Sequence, residues 1–330
     1  MIEVNGLTKQ YGAHKAIDEI NFSINEGEVV GFLGPNGAGK TTTMNIITGY
    51  IAPTSGEAKI NGIDIVEEPE KAKKNIGYLP DTPPVYGDMR VSEYLNFVAD
   101  IKKVRSGRAE MIKQVMEEVN IADCGRRLIK NLSRGYRQRV GIAQAMIGLP
   151  KVIIMDEPTI GLDPMQIIEM REVVKRLGKN HTVILSSHIM QEVNAVCDRL
   201  LIINKGKIVA QGTPEGLASG LQASGGLQVI VKGEREAVIS ALDDFLHIAK
   251  KEAKTGKEAG TTELNVYCES PAEIDLREEV FRCMAKNDFP ILLMKPNELT
   301  LEEIFLSITA SDRLGFGAAE TGGEADDGNI

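Results

Sequence analysis

The sequence predicts an α/β protein of two domains, a mostly parallel sheet with a helical insertion followed by a smaller α+β domain. Three observations carry this. Short apolar runs such as "VVGFL", "KVIIMDEP" and "HTVILSSH" alternate with helix-patterned segments, as expected of strands buried on both faces of a parallel sheet. Strand signals vanish over residues 91–149, which marks a helical insertion. Beyond a Gly-, Ala- and Ser-rich stretch after residue 210, the order becomes β-α-β-β-α-β, that of a ferredoxin-like split βαβ unit.

Each element has its own warrant. "IDEINFSINEGEVVGFLG" is rich in β-branched and apolar residues and ends in a glycine loop, and "KTTTMNIITGY" continues with helical character. "VSEYLNFVADIKKV", "RAEMIKQVMEEVNI" and "RQRVGIAQAMIGL" form the insertion. "PMQIIEMREVVKRLGKN" carries apolar residues at helical spacing (Ile167, Met170, Val174, Leu177) between two strand runs, which completes a β-α-β order. "VAQGTPEGLASGLQASGG" reads as a domain boundary, so the first domain spans residues 1–217 and the second 226–310. In the second, "LQVIVKG", "HIAKKEAK", "TELNVYCES" and "PILLMKP" read as strands, "EREAVISALDDFL" and "IDLREEVFRCMAKND" as helices. A final helix opens with Thr300 and Glu303 in capping-box spacing. The Gly-rich, acidic residues 311–330 are expected to be disordered.

The chain has 330 residues, about two domains at roughly 150 residues each. Its net charge is −9, which argues against a general nucleic-acid binder. No apolar run approaches the roughly 18 residues needed to span a bilayer. The N-terminus lacks the basic and apolar regions of a secretory signal. Cys124, Cys197, Cys268 and Cys283 are scattered, and without a signal they are expected as reduced, buried thiols in the cytosol.

The strongest motif is Gly34, Pro35, Asn36, Gly37, Ala38, Gly39, Lys40 and Thr41, which fits G-x-x-x-x-G-K-[ST]. It stands between a strand and a helix, where successive backbone amides and the helix start can receive phosphate oxygens. Lys40 would reach the β- and γ-phosphates, Thr41 would ligate Mg²⁺, and Thr42 would donate to phosphate. By chance such a pattern arises in on the order of one chain in a hundred of this length. "VIIMDEP" then ends a buried strand in two carboxylates. Asp156 suits Mg²⁺, a hard cation, and Glu157 stands where it would act as general base on an attacking water. His188 ends another strand of the same sheet, where α/β sheets place their ligands, and is expected near the γ-phosphate.

Together these residues resemble the ATP-binding cassette (ABC) ATPases, the nucleotide-binding subunits of ABC transporters. The likeness runs over residues 2–217. "GPNGAGKTT" matches the family's Walker A loop, "LSRGYRQRV" its LSGGQ signature, "VIIMDEP" Walker B, "GLDP" the D-loop and "SSH" the switch histidine. The resemblance implies that the first domain is a P-loop NTPase cassette binding ATP and Mg²⁺. It implies that Tyr11 stacks on adenine, and that Ser133 and Gly135 contact the γ-phosphate across a homodimer. Two departures stand out: Arg134 and Tyr136 replace the third and fifth signature residues, and Asp81 occupies the Q-loop position usually held by Gln. Asp81 is expected near Mg²⁺, through water rather than directly.

The stretch around the phosphate loop, the signature and the appended domain look like the ABC-2 type exporter subgroup. That implies an ATPase at the cytoplasmic face of the membrane, driving export through separate integral membrane permease subunits and binding no nucleic acid. A soluble ABC-type ATPase of translation or DNA repair is the alternative, but such proteins carry two cassettes, long coiled-coil insertions or basic surfaces. A small-molecule phosphotransferase is a third reading, and the signature, D-loop and His188 set argues against it.

Overall fold

The computed structural model describes residues 2–217, 226–242, 248–256, 258–268 and 275–296. The last helix foreseen from Thr300, the tail 311–330 and residues 218–225 of the boundary stretch lie outside them.

Six strands build the central sheet: β3 (Val29–Leu33), β6 (Ile76–Leu79), β7 (Val152–Asp156), β8 (Thr182–Ser187), β9 (Arg199–Asn204) and β10 (Lys207–Gly212). Their order is β10-β9-β3-β8-β7-β6. Every pairing is parallel except the edge strand β10 against β9. All residues of β3, β7 and β8 are buried, which accounts for their unbroken apolar character.

Strand alternation feeds two separate cores. Val29 and Leu33, Ile153 and Met155, and Leu200 and Ile202 point into one core, shared with the helical insertion. Val30 and Phe32, Val152 and Ile154, and Leu201 and Ile203 point into the other. Successive side chains of a strand face opposite ways, so one strand serves both.

The second core is closed by an antiparallel sheet, β1 (Ile2–Tyr11), β2 (His14–Ile24), β4 (Ser55–Ile60) and β5 (Ile63–Asp64), in the order β2-β1-β4-β5. A simple strand–helix alternation over the first domain misses this layer. Its period-two pattern was present: Ile20, Phe22 and Ile24 are buried on one face, and Glu19, Asn21 and Ser23 lie off it.

Helix α1 (Lys40–Ile47) follows β3, and α2 (Pro69–Lys74) precedes β6. The insertion contains α3 (Val91–Ile101), α4 (Arg108–Glu118) and α5 (Arg134–Met146), within the range expected. Helix α6 (Pro164–Leu177) buries Met170, Val173, Val174 and Leu177, while Ile167 is only half-buried. A short helix, α7 (Met190–Asn194), follows β8.

The C-terminal region follows the foreseen order: β11 (Gly226–Lys232), α8 (Arg235–Ala241), β12 (Ile248–Thr255), β13 (Thr261–Cys268), α9 (Leu276–Lys286) and β14 (Ile291–Pro296). The sheet order is β12-β13-β11-β14, with antiparallel neighbours throughout. It has its own core, in which Leu227, Val229 and Val231 meet Val280 and Met284. Cys124, Cys197 and Cys283 are buried, and none of the three forms a disulfide among the described residues. Among the described residues, no helix is long and apolar enough to cross a membrane.

Candidate functional site

The ends of β3, β7 and β8, adjacent in the sheet, converge on one cluster. The glycine loop leaves β3 and turns into α1. Gly39 has φ 110°, a left-handed conformation, and a Cβ there would lie 2.7 Å from the Ala16 carbonyl. Only glycine fits both constraints. Lys40, 6% exposed, folds back so that its Nζ donates to the carbonyls of Gly34 at 2.8 Å and Pro35 at 3.3 Å. The loop's Gly34, Ala38 and Gly39 are buried, whereas Asn36, Gly37 and Thr41 are exposed.

The two carboxylates ending β7 have different surroundings. Asp156 is buried, and the hydroxyls of Ser186 and Thr41 both donate to it. Burial pushes its carboxyl above the usual carboxylate range, and the negative charges of Glu157 and Asp81 push the same way. Glu157 has φ 48°, so the chain turns sharply after Asp156, and its amide donates to Ser186 Oγ at 3.0 Å. Its side chain bridges two partners: Oε1 lies 3.4 Å from Lys40 Nζ, and Oε2 lies 2.9 Å from His188 Nδ1.

Thr41, Asp156 and Asp81 line one open cleft of about 690 Å³, beside Tyr78 and Gln144. Their oxygens make a hard donor set, and the raised carboxyl of Asp156 is what a divalent cation would relieve. The residues present therefore fit Mg²⁺.

The other foreseen residues make none of the contacts described for this cluster. Ser133 caps α5, its Oγ accepting from the Tyr136 amide at 3.3 Å. Gly135 is buried against the Gln166 side chain, and Arg134 lies over Gly161 of "GLDP". Tyr11 is half-exposed at the end of β1, with Lys9 Nζ 5.2 Å from its ring centroid. Thr42 is half-buried in the first turn of α1.

Comparison with known proteins agrees with this geometry. Residues 17–160 match the ABC transporter family. The linearmycin resistance ATP-binding protein LnrL of Bacillus subtilis is 36% identical over 250 residues, covering 75% of this chain and 80% of that protein. The chain belongs to the ABC transporter ATP-binding proteins. The bacitracin transport ATP-binding protein BcrA of Bacillus licheniformis is 37% identical over 213 residues, covering 64% of this chain and 70% of its own. Among solved structures, the ATP-binding subunit of an ABC transporter superposes with TM-score 0.61 at 29% identity, over 67% of this chain and 93% of that one. A dimeric bacterial ABC transporter cassette matches with TM-score 0.59 at 26% identity, over 64% and 98%. The first domain is thus an ABC ATPase cassette of P-loop NTPase fold, and the chain is an ATP-hydrolysing subunit of an ABC transporter.

One residue of this cluster escaped sequence reasoning. Ser186 links Asp156 to the Glu157 backbone, and it was visible only as part of "SSH". The available signal was a pair of hydroxyls ending a strand whose every residue is buried, since buried hydroxyls need partners.

Proposed function

We propose that two copies of this chain close around two ATP molecules and, through separate membrane subunits, drive export. Lys40 and the amides of residues 34–42 hold the phosphates, with Tyr11 on the adenine. Thr41 and Asp156 hold Mg²⁺, with Asp81 contributing through water. Bound there, Mg²⁺ neutralises charge on the phosphates. Ser133 and Gly135 of one copy donate to the γ-phosphate held by the other. Glu157 accepts the proton of the attacking water, and His188 orients Glu157 and the water. The relatives named for linearmycin resistance and bacitracin transport support a transport role, which we place at the cytoplasmic face of the membrane.

The observation that carries this reading is Glu157, held between Lys40 and His188 at 3.4 Å and 2.9 Å. Water attack on a phosphate needs a base beside the cation that holds it. Glu157→Gln retains size and hydrogen bonding but loses the proton acceptor. Turnover is expected to fall about 10²-fold or more, while ATP still binds and the variant elutes as a dimer in ATP on size-exclusion chromatography. An unchanged hydrolysis rate would remove Glu157 as the base.

A further inference from the structure

A second cleft, of about 240 Å³, lies between the loop after β6 and the head of α5. Asp81, Thr82 and Val85 line one wall, and Arg134, Arg137 and Gln138 line the other. Its chemistry is unbalanced. Gln138 is 3% exposed, yet its Nε2 has no hydrogen-bond partner among the described residues. An unpaired buried amide is costly, about 1–3 kcal/mol. Arg134 and Arg137 form no ion pair within 4.0 Å among the described residues. Three donors without acceptors thus face one carboxylate, that of Asp81, whose Oδ1 accepts from its neighbour Thr82's amide.

Asp81 also lines the larger cleft with Thr41 and Asp156. On that side it shares the cleft with the like charge of Asp156. On the other side it shares a cleft with two guanidinium groups and an unpaired amide, without touching them in this structure. Coulomb attraction and the unmet donor of Gln138 both favour the arginine side.

We propose that Asp81 closes the smaller cleft by pairing with Arg134 and Gln138, tying the loop beside the phosphate site to the signature turn of the same chain. The two departures from the family pattern, an acid at 81 and a base at 134, are then halves of one contact. Arg134 is a positioning residue: it lies over Gly161 and next to Ser133, so holding it fixes the turn that presents Ser133 and Gly135. Mg²⁺ bound at Thr41 and Asp156 would instead draw Asp81 back toward the phosphate site, so the pair belongs to the nucleotide-free protein. That last link rests on the metal reading above, whereas the pair itself does not.

The chain contains no tryptophan, so Thr82→Trp places a single emission reporter in the wall of the cleft. In nucleotide-free protein, adding Arg134→Gln or Asp81→Asn is expected to shift the emission to the red, and the two together to shift it no further. Arg134→Lys should keep part of the parent signal. In parallel, without the tryptophan, each single substitution should lower kcat for ATP about threefold, and the double should stay near threefold rather than ninefold. Additive effects in both measurements would overturn the pair, as would an emission unmoved by Arg134→Gln. The emission readout needs no turnover, so it stands even if Glu157 proves not to be the base.

Discussion

At the scale of single residues, Lys40 has two roles within one geometry. Its Nζ holds the carbonyls of Gly34 and Pro35 and lies beside Glu157, so it shapes the loop at the point where phosphate is proposed to bind. Lys40→Ala is expected to weaken ATP binding about tenfold or more, the worth of a hydrogen bond to a charged group. Isothermal calorimetry measures this directly, and an affinity within about twofold of the parent would contradict the assignment. Lys40, Asp156, Glu157 and His188 were legible because each stands at a strand end or in a fixed spacing that chemistry dictates. Ser186 was not, because a serine in a strand carries no spacing of its own; its role depends on which strands become neighbours. The same holds for Gln138, whose unmet amide exists only once the loop after β6 lies opposite α5.

At the scale of elements, α5 carries the signature, and its first residue depends on a cap. Ser133 Oγ accepts the Tyr136 amide, and losing an N-cap costs about 1 kcal/mol. Ser133→Ala should therefore lower both stability and ATPase rate. Ser133→Asp preserves the cap but brings a negative charge to where the γ-phosphate of the other copy is proposed to lie. Thermal unfolding near that of the parent, with ATPase activity lower than in Ser133→Ala, is the expected signature of a residue that does more than cap. Activity equal to the parent in Ser133→Asp would leave it as a cap alone. The insertion helices were legible from their 3.6-residue periodicity. The antiparallel sheet of β1, β2, β4 and β5 was not, because its strands are separated by the whole of β3 and α1. Short-range pattern shows that a segment is a strand, but not which layer it joins.

At the scale of the whole molecule, the described residues divide among three apolar cores, two sharing the central sheet and one confined to residues 226–296. The shared sheet should make the first two unfold together, since each β3, β7 or β8 side chain removed from one core disturbs the strand that lines the other. The third core has no such link. Differential scanning calorimetry is expected to show two transitions, with Mg²⁺ and ATP raising only one. At a ligand concentration of 100 Kd, binding contributes about 2.7 kcal/mol to the state that binds. A single transition shifted as a unit would place the C-terminal domain in the same cooperative block as the cassette.

The left-handed backbone at Glu157, φ 48°, also sets heat resistance against turnover. A glutamate in that conformation costs roughly 1 kcal/mol, whereas asparagine adopts it more readily. Glu157→Asn and Glu157→Gln both lose the charge beside Lys40, so comparing them sets the backbone gain against the reach to His188 that the shorter asparagine gives up. The asparagine variant should melt at the higher temperature without nucleotide, although neither supports rapid hydrolysis. A laboratory selection that rewarded thermal survival alone would therefore enrich inactive proteins at this position. The residue persists as glutamate only where ATP consumption is also under selection.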